Sequence, residues 1–254
     1  MRNIKLKIEY DGTNYCGWQV QNRHKSTKNQ TLPRKSIQET IEKTLRKILR
    51  EKIRLIASGR TDAGVHALAQ VANFRTNSDI ILKKLQPALN GLLPKDIVIT
   101  DAEEVGLKFH SRFDAKSKIY RYTILNRKYP SVLGRNRVYF YTWPLDVKLM
   151  QKEASCLIGR HNFRSFQAAD KKKTAAVRTI KKIVIKKNRG LIQMDIEADG
   201  FLYNMVRNII GTLIEIGRGR FPEASMKRIL LSKDRKLAGP TVPAKGLCLL
   251  EVRY

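Results

Sequence analysis

The chain opens on an alternation. Ile4, Leu6, Ile8 and Tyr10 take every second position, with Lys5, Lys7 and Glu9 between them. A period of two puts each set on its own face, so this stretch predicts a half-buried strand. It runs into Asp11-Gly12-Thr13-Asn14, a turn signal. The polar, basic segment from His24 to Lys35, which contains Pro33, reads as an exposed loop. From Ser36 the period changes. Ile37, Ile41, Leu45, Ile48 and Leu49 recur at helical spacing, and Ser36 with Glu39 has the form of a capping box. Lys43, Arg46, Lys47 and Arg50 lie mostly off that stripe and read as a solvated face.

Further on, residues 54–57 and 69–74 predict strands on either side of a glycine-bearing loop. Residues 79–90 predict a helix in which Pro87 sits awkwardly, and 96–102 a strand. The order β-α-β-β-α-β is a split βαβ arrangement. A second set of elements follows. Residues 119–126 predict a strand with Tyr120 and Tyr122 on one face and Arg121 and Thr123 on the other. Asp146 is placed to cap a helix ending near Gly159. Residues 179–187 and 191–198 predict a hairpin across Asn188-Arg189-Gly190. Residues 204–216 predict a helix, Pro222 fits the first turn of another, and 247–252 predict a closing strand. The two halves have similar element order without a sequence repeat. A boundary is expected within 109–115, dividing the chain into 1–110 and 111–254. No Pro/Gly/Ser-rich linker marks it, so the halves are expected to share one sheet.

Composition narrows the class. The chain has 254 residues, 42% of them apolar, enough for sizeable cores. No apolar run approaches the roughly 18 residues that span a bilayer, and the N-terminus lacks the apolar block of a signal peptide. Cys16, Cys156 and Cys248 are odd in number and far apart, and the four histidines are scattered. That argues against structural zinc and a disulfide framework and fits a reducing cytoplasm. The formal net charge is +29. Such a charge repels itself unless a polyanion neutralises it, and nucleic acid is the expected partner. Lys-rich coding is the other source of such an excess.

The densest chemistry lies in Ser58-Gly59-Arg60-Thr61-Asp62-Ala63-Gly64-Val65-His66-Ala67. Asp62 is a single carboxylate between glycines, with Arg60 two residues before it. Glycine lets a backbone approach a ligand closely, and an acid near an arginine stays ionised, ready to attack or to accept a proton. The plain alternative is an aspartate that caps a helix or closes a turn. On these residues alone both readings stand.

Other motifs bear on the choice. They are Tyr10-Asp11-Gly12-Thr13-x-Tyr15-x-Gly17-Trp18-Gln19-x-Gln21, the Asp62 block, Phe109-His110-x-Arg112-Phe113 and Tyr120-Arg121-Tyr122. His161-x-Phe163-x-Ser165-Phe166, Met205-Val206-Arg207-Asn208-Ile209-x-Gly211 and Gly246-Leu247-x-Leu249 follow. In order and spacing they resemble the TruA family of tRNA pseudouridine synthases, over nearly the whole chain. The resemblance implies an α+β fold: two ferredoxin-like, RNA-recognition-motif-like halves, joined into one largely antiparallel sheet with a central basic cleft. It implies a homodimer acting on the anticodon arm of tRNA. It also implies conversion of uridine to pseudouridine at tRNA positions 38, 39 and 40, without metal, nucleotide or redox cofactor. The absence of a P-loop, a dinucleotide fingerprint and metal-ligand spacing agrees with that.

By the same resemblance Asp62 is the nucleophile. Attack on ribose C1′, a glycal route and attack on the base all stay open. Arg207 pairs with this carboxylate, keeping it ionised and aimed; the alternative is a phosphate contact or surface charge on a helix. Tyr120 stacks on the flipped base and takes part in proton transfer; its strand pattern alone favours a core tyrosine. Arg60 contacts RNA backbone or holds the flipped nucleotide out, and Leu247 lines the pocket, where an ordinary core leucine is the alternative. His66, His110 and His161 are assigned structural or RNA-contact roles, and Tyr15 and Trp18 packing roles. Lys171-Lys172-Lys173 and the 25–35 loop touch phosphates or are solvated charge. The chain departs from the family in an extended basic stretch, Asn22–Lys35, and in Cys248 where an aromatic is common. Competing readings are a synthase acting on another RNA such as ribosomal RNA, a non-catalytic RNA-binding module, and a methyltransferase, for which no Gly-rich cofactor loop is present.

Overall fold

The computed structural model describes residues 1–20, 35–169 and 175–254. The basic stretches expected at 22–35 and 171–173 therefore lie, apart from Lys35, outside the described residues. The chain forms two compact units. One is Met1–Lys116 with Leu249–Tyr254, and the other is Ser117–Cys248. Both are α+β with mostly antiparallel strand pairing.

The first unit follows the predicted order: β1 (Arg2–Tyr10), α1 (Ile37–Leu49), β2 (Ile56–Ala57), β3 (His66–Thr76), α2 (Leu82–Leu92) and β4 (Ile97–Val105). β1 lies between β4 and β3, β2 pairs with β3, and every pair is antiparallel. The β1 alternation is realised: Ile4, Leu6, Ile8 and Tyr10 are buried. Ser36 Oγ accepts from Glu39 N at 3.1 Å, the predicted cap, and Ile37, Ile41, Leu45 and Leu49 are buried along one stripe of α1.

Two boundaries differ from expectation for identifiable reasons. β2 is shorter than 54–57 because α1 takes the backbone of residue 55: Leu55 N donates to Glu42 Oε1 at 2.9 Å and Gln38 Nε2 donates to the Leu55 carbonyl at 3.3 Å. α2 starts three residues late because its first turn bonds to the Ile81 carbonyl, through Lys84 N and Leu85 N. Pro87 does stand inside α2. Proline there removes a bond and crowds the preceding turn, at a cost of about 3 kcal/mol. Leu85 and Leu89, both fully buried, offset it. So do Gln86 and Asn90, whose side-chain amides reach Ile99 beside the β1–β4 register shift.

A buried amide network joins β1 and β3 to the loop after β4. Asn3 Nδ2 donates to the Gly106 and Phe109 carbonyls, Asn73 Nδ2 to Asn3 Oδ1, and Ser111 N and Oγ both to Asn73 Oδ1. The C-terminus closes on the same loop: Tyr254 Oη donates to the Ser111 carbonyl at 2.8 Å and its ring meets Phe109 at 5.1 Å.

The second unit contains β5 (Ser117–Asn126), β6 (Tyr139–Tyr141), α3 (Val147–Ala154), β7 (Gly159–Asn162), β8 (Val177–Asn188), β9 (Leu191–Ala198), α4 (Met205–Gly217), α5 (Ser225–Ser232) and the start of β10 (Leu247–Arg253). The strands run β5-β9-β8-β7, antiparallel, with β6 parallel to β5. The β8–β9 hairpin turns at Arg189 and Gly190, with φ of 46° and 78°, the positive pair that a tight hairpin requires. Asp146 caps α3 through Leu149 N, as predicted, but the α-helix stops at Ala154 and a 3₁₀ turn, Ser155–Leu157, precedes Gly159. β6 and β7 were not anticipated. Pro222 does not open a helix: α5 begins at Ser225 because Glu153 of α3 accepts from Ala224 N at 2.7 Å and Met226 N at 3.0 Å. A carboxylate from another element fixes that N-terminus through its orphan N–H groups. No helix among the described residues is long and apolar enough to cross a membrane.

Candidate active site

Asp62 stands on a turn whose backbone is held from three directions. Val65 N donates to the Asp62 carbonyl at 3.2 Å, with Gly64 at φ 78°. The segment after β1 grips the same turn. Tyr10 Oη and Thr61 Oγ1 are 2.7 Å apart, and Trp18 N donates to the Thr61 carbonyl at 3.0 Å. Gly17, at φ 99°, lies so close that a Cβ there would stand 2.6 Å from the Thr61 carbonyl oxygen and 3.0 Å from the Asp62 carbonyl carbon. A Cβ on Gly12 would stand 2.0 Å from the Val65 carbonyl oxygen. Behind the turn, Ser58 Oγ donates to Gln70 Oε1 at 2.7 Å, and Gln70 Nε2 donates to the Gly59 carbonyl at 2.9 Å. Both glycines of the first motif therefore exist to let two loops touch backbone to backbone.

The turn does close a loop, yet its bond uses the Asp62 carbonyl and leaves the role of the carboxylate open. Asp62 is half-buried and Arg60 is exposed. His66 is a buried structural group, with Nδ1 3.2 Å from Gly12 N and 3.1 Å from Asp11 Oδ1. Tyr15 and Trp18 are buried packing residues. Burial and a 2.5 Å bond to Asp96 Oδ1 push the Tyr15 phenol well above its ordinary range.

The second unit carries Tyr120, Arg207 and Leu247. Every residue of α4 except Arg207 is buried. Arg207 is thus the one side chain of a core helix that reaches a surface, and it is aimed. Its Nε donates to the Val242 carbonyl at 2.8 Å and its Nη1 to Asn204 Oδ1 at 2.9 Å. Asn204 itself holds a left-handed conformation at φ 58° at the helix start.

The carbonyl that aims Arg207 is in turn secured by the rest of the motif. Asn208, fully buried, donates to the Phe166 carbonyl at 2.8 Å and accepts from Arg235 Nη2 at 3.0 Å and Thr241 Oγ1 at 2.6 Å. Gly211 lets the 238–242 segment cross the helix, since a Cβ there would stand 1.8 Å from the Pro240 carbonyl oxygen. Tyr122 Oη donates to the next carbonyl, Pro243, at 2.8 Å. Burial drives the Tyr122 phenol far above its ordinary range, and the Arg207 guanidinium pulls against that.

Tyr120, on β5, is 7% exposed and meets the edge of Phe201 at 5.1 Å with the rings at 88°. Leu247 is buried at the start of β10, after a 3₁₀ turn in which Gly246 abuts the Tyr122 ring. His110 and His161 hold backbone: His110 Nδ1 accepts from Arg112 N and Phe113 N, and His161 Nε2 lies 3.0 Å from the Ile158 carbonyl. Sequence reading missed Phe201, Asn204 and the Val242 carbonyl. The first two flank the Met205–Gly211 motif, which was the available signal; a carbonyl gives none. Among the described residues no group of three or more His, Cys, Asp or Glu is arranged to hold a metal ion.

Comparison with known proteins agrees with these motifs. The family model described as tRNA pseudouridine synthase matches residues 7–114 and 154–254. A protein of Thermoanaerobacter sp. (strain X514) named tRNA pseudouridine synthase A is 47% identical over 254 residues, covering all of both chains. Proteins of the same name from Acetivibrio thermocellus and Clostridium acetobutylicum are 47% and 46% identical, again over the full length of both chains. The two matched blocks carry the Asp62 turn and the Arg207 helix with the glycines that lock each of them in place, and by this match the chain belongs to the tRNA pseudouridine synthase family.

Proposed function

We propose that this chain isomerises uridine to pseudouridine in the anticodon stem-loop of tRNA, at positions 38, 39 and 40, with Asp62 as the essential nucleophile. The observation that carries the reading is the over-determined Asp62 turn. A carboxylate that only closed a loop would not need two glycines and three flanking bonds to fix its backbone, whereas a nucleophile gains from a preset geometry. The C1′–N1 bond breaks, the base turns, a C1′–C5 bond forms, the C5 proton leaves and N1 takes up a proton. No atoms are added or removed overall, so the reaction needs no group donor and no redox partner. Asp62 serves as the carboxylate of this exchange. Arg207, held by Val242 and Asn204, is the cation we assign as its partner. Tyr120 is the platform for the turned base, Leu247 lines the pocket and Arg60 contacts the backbone.

The proposed architecture is two ferredoxin-like halves sharing a sheet, with a basic cleft. The β4-β1-β3-β2 order of the first unit is the antiparallel order that such a half requires, and β5-β9-β8 repeats its β1-β3-β2 run. The same reading includes a homodimer in the cytoplasm, working without metal or cofactor. The test is tritium release from unmodified tRNA labelled at uridine C5. Release by the wild type and none by Asp62→Ala supports the reading. Release by both removes Asp62 from the chemistry, and silence from both, on competent tRNA, removes the substrate.

A further inference from the structure

A basic groove of about 900 Å³ lies along α1, in the first unit. Lys35, Lys43, Arg46 and Lys47 line it beside Tyr15, over an apolar floor at residues 92–94. Lys43, Arg46 and Lys47 are three and four residues apart and so share one helix face. No carboxylate is among the described lining residues. The acids nearby are committed elsewhere. Glu39 holds Lys43 at 2.6 Å, Glu42 accepts from Gln38 and Leu55, and Asp96 accepts from Tyr15. Lys35, Arg46 and Lys47 are exposed and make no ion pair with a described residue. Three uncompensated cations around a cavity are unfavourable by themselves, and a polyanion relieves them.

The groove also has a fixed relation to the Asp62 turn. α1 begins where Ile37 N and Gln38 N bond to the Gly17 and Trp18 carbonyls, and Trp18 N holds the Thr61 carbonyl. From Ser36 to Lys47 the helix rises about 16 Å. The Arg46–Lys47 end of the groove therefore lies about three helical turns from the α1 start that is tied to the Asp62 turn.

We infer that this groove binds the phosphodiester backbone of the tRNA substrate at a distance from the reacting nucleotide. The inference rests on the proposed tRNA substrate. Phosphates pair with Lys35, Arg46 and Lys47, and the sugars rest on the apolar floor. This is binding without chemistry, so it acts on affinity and leaves the turnover step alone.

The test is the double variant Arg46→Glu/Lys47→Glu, with Lys186→Glu/Lys187→Glu on exposed β8 as a control of equal charge change. The readouts are Kd for unmodified tRNA over a salt series, and KM and kcat from tritium release. The groove variant is expected to raise Kd and KM roughly tenfold or more, to flatten the salt slope by about 2, and to leave kcat unchanged, with the control shifting Kd less than threefold. Arg46→Gln/Lys47→Gln, which keeps good helix formers, is expected to give an intermediate shift. Equal losses in the control overturn the inference as general charge. Unchanged tRNA affinity overturns it in favour of a different partner for the groove. Wild-type protein that binds tRNA without releasing tritium defeats the proposed reaction but leaves the Kd comparison decisive for the groove.

Discussion

Gly17→Ala tests whether the backbone contact behind Asp62 sets the catalytic geometry. Gly17 sits at φ 99°, where an L side chain costs about 1–3 kcal/mol. Its new Cβ would be 2.6 Å from the Thr61 carbonyl oxygen, and ordinary contact begins near 3.4 Å, so the neighbouring backbone must give by about 0.8 Å. The atoms that give belong to Thr61, Asp62 and Ala63, so the carboxylate moves with them. A displacement near 1 Å costs on the order of a hundredfold in rate. Strain and clash together cost about 2–4 kcal/mol, which lowers Tm by roughly 5–15 °C in a chain of this size. The assays are tritium release for kcat and KM, and thermal unfolding. The expected result is a kcat loss of roughly a hundredfold with KM within about threefold of wild type. Gly91→Ala is the matched control: a Cβ there meets nothing within 4 Å, and in α2 alanine is favoured by about 1 kcal/mol. Wild-type kcat in Gly17→Ala, or an equal loss in Gly91→Ala, refutes the reasoning.

Asn208→Ala removes one buried and two part-buried hydrogen bonds and is expected to cost about 2–4 kcal/mol by denaturant titration, lowering kcat as the 241–242 segment that aims Arg207 loosens. Tyr120→Phe is expected to keep tRNA affinity and slow turnover; full activity would reduce Tyr120 to its ring. Ser36→Ala is expected to lower stability by about 1 kcal/mol through loss of the α1 cap, read from the denaturant midpoint. Affinity for tRNA is expected to fall steeply with salt, and a flat response would contradict the basic cleft.

The amino-acid sequence by itself determined the elements that are governed by local rules. The β1 alternation, the Ser36 cap and the Arg189-Gly190 turn depend on side-chain period, a neighbouring N–H and a positive φ, all written in a few adjacent residues. Its motifs also singled out Asp62 and Arg207. Tertiary structure alone decided where α5 begins, because Glu153 comes from another helix, and why β2 stops short, because α1 takes the backbone of Leu55. It decided, too, what the motif glycines are for. Gly12 looks like a turn residue in the chain and Gly211 like a weak point in a helix, but Gly12, Gly17 and Gly211 are each small because another segment's backbone lies within about 3 Å of where a Cβ would stand. A bond or a clash between residues dozens of positions apart leaves no periodicity to read, so only the folded chain reveals it.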